Sequence, residues 1–278
     1  GEEKTQEKIQ DVQMVNTSDF FQTFERIDYI KCDIEGHEWE VFQRLKDTLA
    51  QHRPIVQLEI DPKNETSLFD FFSKLDYQRY GLNGQKCQKE EHVHFGGDYL
   101  FIPTEKEMAI EFAQKFTELL GKFVYCADEQ ELIGQLNALI VAKGWNKVYS
   151  KEASWLDKML TLKFDPVTTD DLADCDAAIT LCTHLVARTG TIVLSSQEAS
   201  GRTASVYAPI HICIAYADQL VYDISDSLVK FKESQDGFPS MISFATGPSR
   251  TADIEKTLVV GVHGPKEVYC FLIDNTLD

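Results

Sequence analysis

Short β-branched runs alternate with stretches whose apolar residues fall three and four positions apart, and this alternation limits the folds open to the chain more than any other feature. Ile27-Asp28-Tyr29-Ile30-Lys31-Cys32 reads as a strand. Residues 37–51 read as a helix with Trp39, Val41, Phe42, Leu45 and Leu49 on one face, followed by strand 54–60, helix 67–75 and strand 99–103. Strands joined through helices lie side by side in parallel sheets, so the order predicts an α/β fold. The rhythm resumes with helices over 105–121 and 128–143 and strands near 123–126, 147–150, 177–180, 191–194, 211–215, 258–260 and 269–273. At 278 residues the chain is long enough for two domains, and the sequence divides best into 1–104 and 105–278.

Charge and cysteine usage narrow the function classes. A formal net charge of −18 disfavours nucleic acid and anionic membrane surfaces, which select clustered Lys and Arg. No apolar run has the length of a bilayer span, so membrane insertion is not expected. No secretory leader is visible, and Gly1 in place of Met leaves room for sequence upstream. The seven cysteines are scattered, odd in number and free of any CxxC pair. They read as buried thiols of a cytoplasmic protein that binds neither zinc nor an iron–sulfur cluster itself. Two further clusters have the composition of metal sites and bland local readings: Asp33, Glu35, His37 and Glu38 read as a strand-end turn opening a helix, and His92 with His94 as loop histidines.

Polar residues between glycines and prolines mark the candidate site. In Gly247-Pro248-Ser249-Arg250-Thr251-Ala252-Asp253, a helix is expected to start near Thr251, with Asp253 in its first turn and Ser249, Arg250 and Thr251 around free N–H groups that suit an anion. Thr189-Gly190 precedes one predicted strand. Ser200-Gly201-Arg202 follows it, where a parallel sheet places its ligands. A hydroxyl, a glycine backbone and a guanidinium together suit a carboxylate or phosphate. His211 and His263 sit beside apolar residues near strand ends, and with Asp253 they are the candidates for handling a proton. The expectation is one pocket shared by all three segments.

Two resemblances accompany these readings. IDYIKCDIEGHEWEVFQRL, RPIVQLEI and GGDYLFIP, over about residues 11–104, resemble the C-terminal half of FkbM-type S-adenosylmethionine-dependent methyltransferases. The glycine loop that receives the cofactor in such enzymes is missing, which leaves a partial Rossmann-like segment. DAAITLCTHLVARTGTIVLSS, SGRTASVYAPIHICIA and GPSRTADIEKTLVVGVHGPKEVYCFLID, over about 105–278, look like the LutC/YkgG lactate-utilisation family, the LUD domain. That resemblance implies a NagB/RpiA/CoA-transferase-like parallel-sheet domain. It also implies a small anionic metabolite as ligand and an iron–sulfur partner system that oxidises L-lactate to pyruvate, with the cluster on the partner only. Relatives often carry Glu where this chain has Arg188. A noncatalytic assembly subunit and a piece of a methyltransferase fusion stand as alternatives, and a homo-oligomer is compatible with either.

Overall fold

The computed structural model describes residues 15–82, 84–87, 97–166, 168–200, 202–235, 237–254, 257–261 and 263–274, with the backbone alone over 251–254 and 257–260. His92 and His94 lie outside the described residues. The chain divides into two compact units, Gly1–Pro103 and Thr104–Asp278.

The first unit runs α1 (Thr17–Phe21), β1 (Tyr29–Cys32), α2 (Glu38–Phe42), α3 (Lys46–His52), β2 (Ile55–Glu59), α4 (Glu65–Lys74), β3 (Tyr77–Gly81) and β4 (Asp98–Pro103). Its sheet has the order β1-β2-β4-β3. Only β1 and β2 are parallel; β4 runs antiparallel to both neighbours, so the all-parallel expectation fails here. The reason is β3, whose sequence YQRYG is too polar to stand out as a strand. The chain enters it directly from α4 through Asp76 at φ +57°. The helix expected over 37–51 is two helices, because Arg44 and Leu45 donate to the carbonyls of Val41 and Phe42 in a tight turn. Phe42, Leu49, Leu58 and Leu68 fill the core beside Phe72, which stacks on Phe101 at 4.0 Å between ring centroids.

The acids of the DIEGHE stretch build a turn. Glu38 is buried, and its carboxylate accepts from the Gly36 N–H at 2.6 Å and from Asn64 Nδ2 at 2.8 Å. Among the described residues no group of three or more His, Cys, Asp or Glu is arranged to hold a metal ion. Replacing Glu38 with Ala strips the Gly36 N–H of its acceptor, and a loss of about 2 kcal/mol in urea unfolding is expected.

The second unit contains α5 (Thr104–Glu118), β5 (Lys122–Cys126), α6 (Glu129–Lys143), β6 (Val148–Tyr149), α7 (Ala153–Thr161), β7 (Thr168–Thr169), β8 (Ala177–Leu181), β9 (His184–Val186) and β10 (Thr191–Ser195). It continues with α8 (Ala204–Tyr207), β11 (Ile210–Tyr216), β12 (Leu220–Val221), α9 (Ile224–Glu233), β13 (Ile242–Ala245), β14 (Arg250–Ile254), β15 (Thr257–Val260) and β16 (Glu267–Ile273). Six strands form one parallel sheet in the order β5-β16-β11-β8-β6-β7. Its central strands are continuous apolar runs because both faces are covered. Ile212, Ile214, Phe271 and Ile273 meet Leu136 of α6 and Trp155 of α7 in one core cluster. Cys213, Ala215, Cys270 and Leu272 pack on the other face with Phe112 and Phe116 of α5 and with Leu185 and Ile192 of a second sheet.

That second sheet has the order β12-β9-β10-β13, a separate pair is formed by β14 and β15, and together they correct two expectations. β10 is not one more parallel strand, because it runs antiparallel to β9 and β13. The segment from Arg250, expected to open a helix, is β14, paired antiparallel with β15. A run of strand formers on both sides of a short connection outweighs the capping residues there.

Connectivity marks one place on the parallel sheet. From β6 the chain passes through α7 to the edge strand β7, whereas from β8 it travels the other way, to β11 and then β16. Ligands in open α/β sheets bind beyond the carboxyl ends of strands at such a reversal, here between β6 and β8.

Candidate functional site

Beyond the end of β8 the chain turns through Cys182 and Thr183 into β9, and the loop after β10 folds back over this turn. A crevice of about 370 Å³ opens there, with Thr183, His184, Gln197, Glu198, Gln219 and Lys230 in its walls. The loop is fixed at several points: Ser196 N–H donates to the Met241 carbonyl at 3.0 Å, and Gln197 Nε2 donates to the Gly237 carbonyl at 3.0 Å. On the β6 side, the Ser200 N–H and hydroxyl both donate to the buried carboxylate of Glu152, just ahead of α7.

Glu198 is the chemically distinctive group. Its carboxylate accepts a hydrogen bond from Thr183 Oγ1. Burial pushes its pKa up to about 7 and the Glu152 carboxylate adds to the rise, while the bonds from Thr183 and the Ser195 main chain oppose it. It therefore exchanges a proton near neutrality. His184 lies close by, with Nδ1 2.9 Å from Ser227 Oγ and its ring edge-on to Phe231. Burial, with the Lys230 ammonium adding to it, pushes His184 down to about 4, so the ring is neutral at neutral pH. Lys230 is exposed, and among the described residues it has no ion-pair partner. A crevice with one protonatable carboxyl, one such cation and several hydroxyl and amide groups suits a small carboxylate that gains or loses a proton.

Among the described residues, those singled out from sequence do not share one pocket. Ser200 and Arg202 border the crevice loop, where Arg202 Nη2 donates to Ser240 Oγ at 2.6 Å; Gly201 lies outside the described residues. Thr189 and Gly190 sit at the opposite end of β10, and a five-residue strand places them roughly 13 Å away. Their contacts are structural: Thr189 Oγ1 lies 2.7 Å from Thr191 Oγ1, and Gly190 packs on the backbone of α5. Beside them Arg188 pairs with Asp223 at 2.7 Å.

His211 is wholly buried near the amino end of β11, with Nε2 2.9 Å from Thr180 Oγ1. Burial pushes it down to about 4, and with no accessible surface it cannot meet a ligand, which removes it from the proton-handling set. The Ser249 main chain bonds to Gly261 and Pro265, so the two glycine-bracketed segments do meet. Arg250 is exposed at the start of β14, and Thr251 and Asp253 follow within that strand, their side chains outside the described set. His263 lines a second cavity with Tyr207 and Lys266.

Sequence reasoning does not single out Glu198, Thr183, His184, Lys230 or Glu152. Glu198 lies inside a loop that the sequence marked, but Thr183 and Lys230 reach it only through the returns of β9 and α9. A pairing over such separations leaves no local signal.

Comparisons with known proteins agree on the second unit. Residues 104–273 match the model of the LUD domain, and residues 2–81 match that of the methyltransferase FkbM domain. Lactate utilization protein C of Halalkalibacterium halodurans is 39% identical over 101 residues, which are 35% of this chain and 44% of that protein. The protein of the same name from Deinococcus radiodurans is 32% identical over 125 residues, 44% of this chain and 58% of its own. An uncharacterized protein of Neisseria meningitidis is 31% identical over 111 residues, 40% of this chain and 48% of its own. The chain thus spans about half the length of the curated relatives it matches. Among solved structures, a DUF162 family protein from Deinococcus radiodurans aligns with a TM-score of 0.47 at 20% identity, covering 61% of this chain and 98% of that one.

Proposed function

The chain belongs to the LUD-domain family, and from that premise we propose that its second unit is a LutC-like lactate-utilisation protein that holds a small 2-hydroxy- or 2-keto-acid in the crevice at Glu198. The observation that carries the reading is a carboxyl with a pKa of about 7 in the loop after β10, bonded to Thr183 of the turn after β8, in a crevice also lined by the Lys230 ammonium. Lys230 holds the metabolite carboxylate. Glu198 exchanges the proton of its 2-oxygen, while Thr183, Gln197 and Gln219 supply hydrogen bonds.

Converting lactate to pyruvate removes two electrons and two protons. Glu198 in its ionised form receives the hydroxyl proton; the second proton and both electrons leave to an iron–sulfur protein partner. The cluster is assigned to the partner because all seven cysteines of this chain are buried, and burial pushes thiols such as Cys126 up to about 12, away from the thiolate that a cluster needs.

Calorimetric titration with pyruvate and L-lactate tests the reading. Ionised Glu198 repels the ligand carboxylate, so binding is expected to be about tenfold tighter at pH 6 than at pH 8. Glu198→Gln should abolish that dependence, and Lys230→Ala should weaken binding about tenfold. Absence of heat with both acids at millimolar concentration at pH 6 sinks the proposal.

A further inference from the structure

We propose that the cavity between α8 and the segment leading into β16 is a second ligand site, taking a small phosphorylated molecule with a flat ring, of mononucleotide type. This cavity has a volume of about 500 Å³ and lies at the amino ends of β11 and β16, between Pro209 and Lys266. The Glu198 crevice belongs to the carboxyl end of β8, so the two sites sit at opposite ends of the parallel sheet and do not share residues.

Three observations point to an anion with an aromatic part. His263 and Lys266 line the cavity and are exposed, and Arg250 is exposed beside Ser249, whose carbonyl accepts from Gly261 at the cavity wall. Among the described residues none of the three has a carboxylate or hydrogen-bond partner for its side chain. On a chain with a net charge of −18, His263, Lys266 and Arg250, unpaired among the described residues, bring three basic side chains to or beside this cavity, and salt screens the more distant negative charge beyond about 8 Å.

Tyr207, also in the wall, is 73% exposed. A tyrosine leaving that much ring area in water beside a cavity offers a face on which a planar group can stack. Gly261 and Gly264 complete the wall, and the segment that carries them is held by bonds from Ser249 N–H to the Pro265 carbonyl at 3.0 Å and from Lys266 N–H to the Pro209 carbonyl at 2.8 Å. The phosphate is placed against Lys266 and His263 and the ring against Tyr207. The volume suits a mononucleotide, since ligand clefts of a few hundred Å³ take molecules of that size.

The test is titration of the full chain with adenosine monophosphate, inorganic phosphate and adenosine, read by calorimetry and by NMR shifts of the residues around Gly264. The monophosphate is expected to bind at least fivefold tighter than phosphate or adenosine, with shifts confined to this cavity. Lys266→Ala with His263→Asn should weaken it tenfold or more, and Tyr207→Ala several-fold. All three side chains are exposed, so these variants keep the fold. Equal binding of phosphate and the monophosphate, binding indifferent to the substitutions, or no binding at millimolar concentration overturns the proposal.

Discussion

Lowering the pH from 7 to 4 is expected to remove about 3 kcal/mol from the stability of the second unit, chiefly through His211 and His184. Both have folded pKa values near 4, below the ordinary value of 6.5, with burial as the main cause. The unfolded chain therefore binds more protons between pH 6.5 and 4, and stability that is complete above 6.5 is lost as pH falls through that window. For wholly buried His211 the shift corresponds to about 3 kcal/mol, and for His184, which borders the crevice, to about 2. Glu198 works in the opposite sense. Its folded value near 7 lies above the ordinary carboxylate value of 4.5, so its contribution is present at low pH and lost as pH rises from 4.5 through 7. After allowance for its partial solvation it offsets about 1–2 kcal/mol of the histidine effect. Urea midpoints at pH 7, 5.5 and 4, followed by the indoles of Trp145 and Trp155, measure the net change. His211→Gln should flatten the profile by about one proton, and a variant profile that superimposes on the unsubstituted one refutes the assignment.

The parallel sheet was legible because β8, β11 and β16 are buried on both faces and read as largely apolar runs, such as Ala177–Leu181 and 268–273. The bounds of α6, expected over 128–143, were legible to within one residue: Asp128 is its N-cap and accepts from the Glu131 N–H at 2.7 Å, and Gly144 ends the helix at φ +66°. Sheet membership was not. β10 carries the same kind of apolar run as the strands of the parallel sheet, and only its pairing with β9 and β13 makes it antiparallel. The stretch from Ser249 to Asp253 shows the limit of capping rules, since hydroxyl and acidic residues that start helices also occur in strands that have a partner. The family was readable from long ordered motifs, and the LUD match over residues 104–273 agrees with it. The crevice was not readable: its acid comes from the loop after β10, its hydroxyl from the turn after β8, and its cation from α9.

Gly190 stands in a loop that the sequence marks for ligand binding, yet its neighbours are the main chain of a helix. Replacing it with Ala is expected to cost about 4 kcal/mol, enough to lower the thermal midpoint by ten degrees or more. Two effects add. At φ +60° the residue is left-handed, which costs any residue with a Cβ about 1–2 kcal/mol. The new Cβ would also stand 2.4 Å from the Phe116 backbone nitrogen and 2.7 Å from the Lys115 carbonyl carbon, distances that no real Cβ tolerates. Those atoms belong to the main chain of α5, so relief requires moving the helix, and moving it disturbs the packing of Phe112 and Phe116 on Leu185 and Ile192. The turn from Ala187 to Thr189, which Gly190 terminates, is thus a seat for α5. Binding of pyruvate by the fraction that remains folded should be unchanged, because the crevice lies at the other end of β10. Thermal unfolding and calorimetry on Gly190→Ala separate the two roles: full stability with lost binding would return this turn to the ligand site, whereas lost stability with binding retained assigns the glycine to the contact between α5 and the second sheet.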